Sequence, residues 1–594
     1  MLEMRAAPRR WPRALRASVC MGVPVLVGWL AGDLGAGLTA TLGGFTALYG
    51  SGRPYLNRAA LLAVVAVALS AAVGLGIWTA SIPWLGVLIV AAIGTVATLL
   101  CNALEVGPPG AYQFALVCAV GIGLHSGHQD PIRSALLVLA GGCLSWVVHM
   151  AGAAFGPRGP EKSAVAAGGV AVADYIDAIA TNAEDAARHH AAQAMHDAWK
   201  DLISYQPRRL PPSATVRRLR DLTRRLHMTF ADAMSAASSG TTPDPSGAAA
   251  ARALAGRAFD RTSPDADTTP IEKLPLGRPG ARALIRVSVQ PGSRALLVVI
   301  RVGVATIVAG GLAGLLGLEH AYWAMAAAVL VLHQGLDRRR MTQRALERLV
   351  GTWTGLLLAA AVIATHPHAL WLVAVIMLLN FLVELTVVRN YTLAVVFITA
   401  VALVISTGAH GTDDLGALLL ARGVDTAVGC AVALAVFLLL VPASVTTWLP
   451  AAIADTLDAV ATTAGYLATA TVTTPEAKAA RRDLQRSVLR MAQTFDTTIN
   501  GNAQQHRAAE HMWPAIAATQ RLAYRTVAEC WRLEQMPKES STETADPTPE
   551  FVHVQSAVRA TAEAMRAGRN PPAVTITEGT LSDEVRGVRD ALAR

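Results

Sequence analysis

The chain is short of charge. Only 16% of its 594 residues are Asp, Glu, Lys or Arg, while 53% are hydrophobic. Soluble domains carry about 25% charged residues, so a wholly soluble fold is excluded. Lysine is scarcest, with five copies at Lys162, Lys200, Lys273, Lys478 and Lys538. None follows a glycine. A phosphate loop needs glycines followed by Lys and then Ser or Thr, so a nucleotide-driven pump is excluded. HExxH, GxSxG and calcium-loop patterns are missing too. With no nucleophile–base or metal constellation visible, an enzyme is the least favoured reading, and no metal or cofactor is expected. The six cysteines form no CxxC pair. They read as small apolar packers rather than disulfide partners or metal ligands.

What is present is long apolar runs. Residues 59–80 hold no charge at all, and about 20 apolar residues cross a bilayer core. Glycine, proline and charge clusters divide residues 1–156 into six spans: 17–31, 37–51, 59–79, 84–101, 112–125 and 133–154. Residues 294–442 divide likewise into 295–316, 321–334, 349–364, 369–388, 391–407 and 415–441. Arg5, Arg9, Arg10, Arg13 and Arg16 precede the first span in the manner of a secretory signal. Further spans follow at once, so it reads as a retained first helix with a cytoplasmic start. With that start, the outside loops GDLGAG, SIPW, HSGHQDP, GLEH, THPH and GAHGTDD contain no Lys or Arg. The basic residues fall inside, as the positive-inside rule requires.

The two blocks echo each other. Arg16, Asp33 and Arg58 match Arg301, Glu319 and Arg344 in order; Glu105 and Tyr112 match Glu384 and Tyr391. Repeats of this kind mark transporters, and an even span count per block means the blocks insert the same way up. The expected architecture is an all-α polytopic membrane protein of two same-orientation six-helix repeats, each followed by a cytoplasmic helical domain, at 157–293 and 443–594. The first arm has a basic stretch (Arg208, Arg209, Arg217, Arg218, Arg220, Arg224, Arg225) with few aromatics, which suits anionic lipid rather than nucleic acid. A linker at 236–280 and a polar break at 537–549 interrupt the arms.

Ionisable groups inside spans are functional candidates by default. Arg422 and Asp425, three apart, share a helix face. They suit either an anion-contacting arginine tuned by a carboxylate or an internal ion pair. Glu105 and Glu384 are candidates for proton coupling or for headgroup-level placement. Arg340, Arg344 and Arg348 form one stripe, a cytoplasmic gate or a positive anchor, and Arg58 is the first-block counterpart of Arg344. His125, His128, His320, His366, His368 and His410 lie in outside loops as solvated groups or sensors. Spans two, five, eight and eleven are short, opening in three cases at Tyr112, Tyr322-Trp323 and Tyr391. Short segments at matching positions often flank a central site.

These residues resemble a family. Tyr322-Trp323 opens a short span, then come Arg344-Ala-Leu-Glu-Arg348-Leu-Val-Gly351-Thr352 with Gly355, Arg389-Asn-Tyr391, and Arg422-Gly-Val-Asp425-Thr-Ala-Val-Gly429. This text resembles the fusaric acid resistance (FUSC) family, which includes aromatic acid exporters. The first block matches less well, because Tyr-Leu-Asn-Arg58 lacks the following Gly-Thr, although its GPPGAY stretch is similar. The resemblance implies a bacterial inner-membrane permease that exports aromatic or other weak-acid anions; the charge pattern places both termini in the cytoplasm. Arg422, Asp425, Tyr391, Tyr322 and Trp323 are then the substrate-binding candidates. A passive organic-anion channel and a non-transport membrane scaffold are the alternatives. The expected partners are membrane lipid and a small organic anion; a homodimer and a periplasmic adaptor stay open, and no nucleic acid is expected.

Overall fold

The computed structural model describes residues 10–124, 129–206, 213–238, 245–260, 280–291, 293–318, 320–333, 338–410, 415–440, 448–499, 503–535, 548–572 and 579–593. His125, His128, Arg208, Arg209, Glu319, most of the linker at 236–280 and most of the polar break at 537–549 lie outside those residues, as do the side chains of Arg338, Arg339 and His410.

Every regular element among the described residues is helical. In chain order they are α1 (Trp11–Leu30), α2 (Leu34–Thr41) running on as a 3₁₀ segment (Leu42–Leu48), α3 (Tyr55–Thr79), α4 (Pro83–Ala103), α5 (Tyr112–Leu124), α6 (Pro131–Met150) and a short turn, α7 (Gly152–Phe155). Then come α8 (Gly159–Ala178), α9 (Glu184–Trp199) with a π-helical turn (Lys200–Ser204), α10 (Ala214–Ser238) and α11 (Pro245–Arg257). The second apolar block holds α12 (Ala281–Ser288), α13 (Arg294–Leu315), α14 (Ala321–Leu332), α15 (Arg338–Ala364), α16 (Ala369–Thr386), α17 (Tyr391–His410) and α18 (Leu415–Leu439). The chain ends with α19 (Trp448–Ala468), α20 (Pro475–Ile499), α21 (Ala503–Gln535), α22 (Pro549–Arg566) and α23 (Ser582–Ala593).

Each apolar span read from the sequence is a helix. Among the described residues, seven are long and apolar enough to cross a membrane: α1, α3, α4, α6 with α7, α13, α15 and α18. Five more are shorter apolar helices: α2 with its 3₁₀ segment, α5, α14, α16 and α17. Two boundaries moved for one reason. Spans were placed by hydropathy, but α1 and α15 continue outward through arginines, which are good helix formers. α15 therefore starts at Arg338 and not at residue 349. The eleventh span, α17, reaches 20 residues, whereas α16, expected to be of ordinary length, has 18. Local signals set the other ends. Asp130 accepts from Ile132 N at 2.8 Å and caps α6, whose first residue is Pro131; proline at a first turn loses no needed hydrogen bond.

The contacts fall into two units. Residues Met1–Pro157 and Gly280–Val441 form one, and Arg158–Pro279 with Pro442–Arg594 the other. In the first unit, α14 is buried continuously from Ala324 to Leu332 and α5 from Tyr112 to Ala119. A helix apolar all round belongs in an interior, and these two pack against each other. Partners recur across the blocks. α1 packs on α16 and α13 on α4; α2 packs on α17 and α5 on α14. Inside the blocks, α3 packs on α5 and α6, as α15 does on α17 and α18. Glycines permit the closest crossings. A Cβ on Gly141 of α6 would strike the backbone of Ala40, and one on Gly429 of α18 the backbone of Ala324. Small residues serve the same purpose at many membrane helix interfaces.

In the second unit both arms contribute to one core. Val172 and Tyr175 of α8 and Phe230 of α10 are buried in the same cluster as Leu457 of α19 and Tyr524 and Val527 of α21. The basic face of α10 is partly spent within the bundle: Arg220 donates twice to the Leu202 carbonyl, at 3.1 and 2.9 Å, and Arg225 pairs with Asp221 at 2.9 Å. Residues 280–291, assigned from sequence to the first arm, belong to the first unit, where α12 packs on α4.

Candidate functional site

The short helices bring aromatic residues from both blocks into one cluster. Tyr112 of α5, Tyr322 and Trp323 of α14, Tyr391 of α17 and Phe45 of the 3₁₀ segment pack together around Leu116, Ala119, Ala326 and Leu330. Gly123 lacks the Cβ that would collide with the Tyr322 hydroxyl, so α5 and α14 come close there.

Arginines reach this cluster from α15 and α18. The Arg422 guanidinium carbon lies 3.2 Å from the Trp323 ring centroid, and Arg422 is only 3% exposed. Arg348, 2% exposed, donates to the Tyr112 hydroxyl at 3.4 Å, with its guanidinium 6.0 Å from that ring centroid. Arg344, half-buried one turn earlier, lies 5.3 Å from the centroid of Tyr391. Of the sequence candidates, Arg422, Trp323, Tyr322, Tyr391, Arg344 and Arg348 are therefore brought together.

The expected Arg422–Asp425 relation takes a specific form. Both share a face of α18, but no ion pair joins them. Both carboxylate oxygens of Asp425 and the Arg422 Nε are buried without a hydrogen-bond partner among the described residues. Arg422 sits on a ring instead, in the cation–π arrangement favoured by Trp. Asp425 sits in the same helix, its carboxyl without a hydrogen bond among the described residues.

Other candidates lie elsewhere. The echo pair Glu105 and Glu384 diverges: Glu105 is exposed on a turn with φ 46°, whereas Glu384 is buried and faces Arg13 Nε at 3.4 Å. Arg58 is committed to backbone, donating to the carbonyls of Gly50 and Arg53 at 2.9 Å each, so it holds the turn before α3. His366 and His368 are exposed, and His320 packs edge-on to Tyr322 at 5.7 Å.

Two participants escaped the sequence reading. Tyr112 opens a short span and echoes Tyr391, the signals available for its role, but it is not among the sequence candidates for substrate binding. His333, just after α14, carried no signal beyond closing an apolar run. It is 4% exposed and stacks on Tyr112 at 6.5 Å, with Nε2 3.1 Å from the Pro109 carbonyl. It thereby holds the GPPGAY stretch from one side, while the Tyr49 hydroxyl donates to Gly110 O at 2.7 Å from the other.

Comparison with known proteins fits this geometry. Residues 307–436, which supply every site arginine and all the aromatics except Tyr112 and Phe45, match the family described as fusaric acid resistance protein-like. This is a membrane protein with a fusaric acid resistance protein-like region. A Bacillus subtilis (strain 168) protein described as "Uncharacterized membrane protein YvaC" is 27% identical over 553 residues, covering 88% of this chain and 86% of that one. No solved structure matches. The fusaric acid resistance-like region thus contributes Arg344, Arg348, Trp323 and Arg422, and the first block contributes the Tyr112 ring on which Arg348 rests.

Proposed function

We propose that this chain is a bacterial inner-membrane permease that carries organic anions, aromatic weak acids among them, out of the cell, driven by a gradient. One observation carries the reading: Arg348 and Arg422 are buried against aromatic rings with no carboxylate within ion-pair distance among the described residues. Desolvating a guanidinium costs several kcal/mol. A stacked ring returns about 2 kcal/mol when desolvated. An anion completes the balance, and an aromatic carboxylate matches both partners, presenting its charge to the guanidinium and its face to the rings.

The packing pattern supports two same-way-up repeats that exchange partners. The first and fourth helices of one block meet the fourth and first of the other, and the second and fifth pair likewise. On this reading the chain has twelve spans with cytoplasmic termini, and the site lies where the two repeats meet, as in repeat-built carriers. Both guanidiniums are closed off here, so the anion enters when the repeats rock apart. The chain has no phosphate loop of its own, so the drive comes from a gradient, our reading, or from a partner chain.

The test is flux. Everted vesicles containing the protein should accumulate benzoate or salicylate, with accumulation lost on adding an uncoupler. Equal accumulation in vesicles with and without the protein, across a panel of acids, rules the reading out. Uncoupler-insensitive flux that carries current points to a channel instead.

A further inference from the structure

His333 sits between backbone carbonyls of both blocks. Its Nδ1 is 3.0 Å from the carbonyl oxygens of both Val329 and Leu330, in its own helix. Its Nε2 is 3.1 Å from the carbonyl oxygen of Pro109, in the α4–α5 connection of the other block. Each ring nitrogen therefore faces a backbone acceptor that cannot donate. A neutral imidazole has one N–H and one bare lone pair, so whichever tautomer forms, one nitrogen presents a lone pair to a carbonyl oxygen. Only the imidazolium, a donor at both nitrogens, satisfies the geometry.

Three titratable groups face this ring or its stacking partner. Tyr112 of α5 stacks on it. Arg344 of α15 is a positive charge among its neighbours. Arg348 of α15 approaches the same Tyr112. A third cation beside two arginines is unfavourable while the site is empty and favourable once an anion sits among them.

We infer that His333 is the proton-binding residue of the transport site, taking one proton from water as an anion binds and thereby clamping the Pro109 turn to the end of α14. This rests on the anion reading above and adds a proton that binds together with the anion; a proton carried the same way as the anion is not itself the drive for export. Protonation forms one N–H bond on the ring and tightens one contact between the blocks; release of the anion returns the proton to water. Glu105 and Glu384 are not placed for the task, being respectively exposed and paired with Arg13.

The experiment uses the full chain in lipid nanodiscs, with benzoate as probe. Benzoate is fully ionised from pH 6 to 9, since carboxyl groups titrate near about 4. In weak buffer with a pH indicator, benzoate binding should draw up to one proton per chain. Wild-type affinity should fall with rising pH, by at most about tenfold per unit. His333→Gln, which keeps one donor and one acceptor, should bind benzoate with neither proton uptake nor pH slope. His333→Lys, permanently charged below the lysine range, should bind without slope and guards against a glutamine variant that fails to fold. Benzoate binding to wild type with no proton uptake overturns the assignment of His333 while leaving the anion site standing, as does a pH slope that survives in both variants. No benzoate binding to a folded wild type removes both.

Discussion

The guanidinium carbon of Arg422 lies 3.2 Å from the centroid of the Trp323 ring, while Asp425, one turn on, makes no hydrogen bond to it. The cation's partner is a ring contributed by α14, not the carboxylate three residues away. That choice rules out an Arg422–Asp425 ion pair and, on the proposed reading, sets the first expectation.

Arg422→Leu should abolish benzoate flux, by about a hundredfold or more if one charge-assisted contact of about 3 kcal/mol is lost. It should leave thermal stability unchanged or raised, because replacing a buried unpaired charge by an apolar side chain relieves desolvation. Flux assays beside detergent-phase melting check both. A melting point that drops while flux persists would mean the arginine is structural.

Tyr112→Phe removes the hydroxyl that accepts from Arg348 at 3.4 Å and leaves the ring in place. The loss of one such bond is worth about 1 kcal/mol, or about fivefold in apparent affinity. Tyr112→Ala also removes the ring and should cost more. Concentration dependence of uptake in vesicles measures the two.

Glu384→Gln leaves Arg13 facing a neutral amide at a buried site. A destabilisation of about 1–3 kcal/mol is expected, read as a lowered melting temperature. Glu105→Gln alters an exposed turn and should leave proton-linked flux unchanged. Loss of uncoupler-sensitive flux in Glu105→Gln would restore that carboxylate as a coupling candidate.

Gly429→Val should separate α18 from α14, since the new Cβ meets the Ala324 backbone, which cannot move aside as a side chain could. Overpacking at a close crossing costs about 1–3 kcal/mol, and the site should lose affinity because Arg422 and Trp323 ride on those two helices. Melting and benzoate titration should fall together.

In the second unit, burial lowers His227 to about 3, well under its ordinary range. Its ring packs edge-on to Trp531 at 4.5 Å. The sign follows: below about 6.5 the unfolded chain binds a proton that the folded histidine refuses. Stability is therefore complete above that pH and declines as pH falls toward the folded value, by on the order of 3 kcal/mol at pH 4. His227→Phe should flatten this part of the profile, as followed by thermal melting between pH 4 and 8.

The elements were legible because apolar runs bounded by Gly, Pro and charge are local signals, and hydropathy marks them wherever the helix later packs. Their ends were less so, since the arginines before Leu349 extend α15 without adding to hydropathy. The site was legible in part. Tyr391, Tyr322, Trp323, Arg348 and Arg422 stood out as aromatic or charged residues at the edges of apolar spans. Tyr112 was visible as an echo, and His333 not at all, because its meaning depends on a carbonyl 224 positions away.

By itself, then, the sequence determined that the chain is helical and built for a membrane, and that it carries no phosphate-loop motif of its own, because periodicity, charge content and motif spacing act over a few residues. Only the tertiary structure decided which of its charged residues share a site. Glu105 and Glu384 hold matching places in the text yet part into an exposed turn and a buried pair with Arg13. Arg422 and Trp323, 99 positions apart, meet because α14 and α18 cross closely at Gly429. Burial and pairing are properties of what surrounds a side chain, and in a helical membrane protein those surroundings come from other helices.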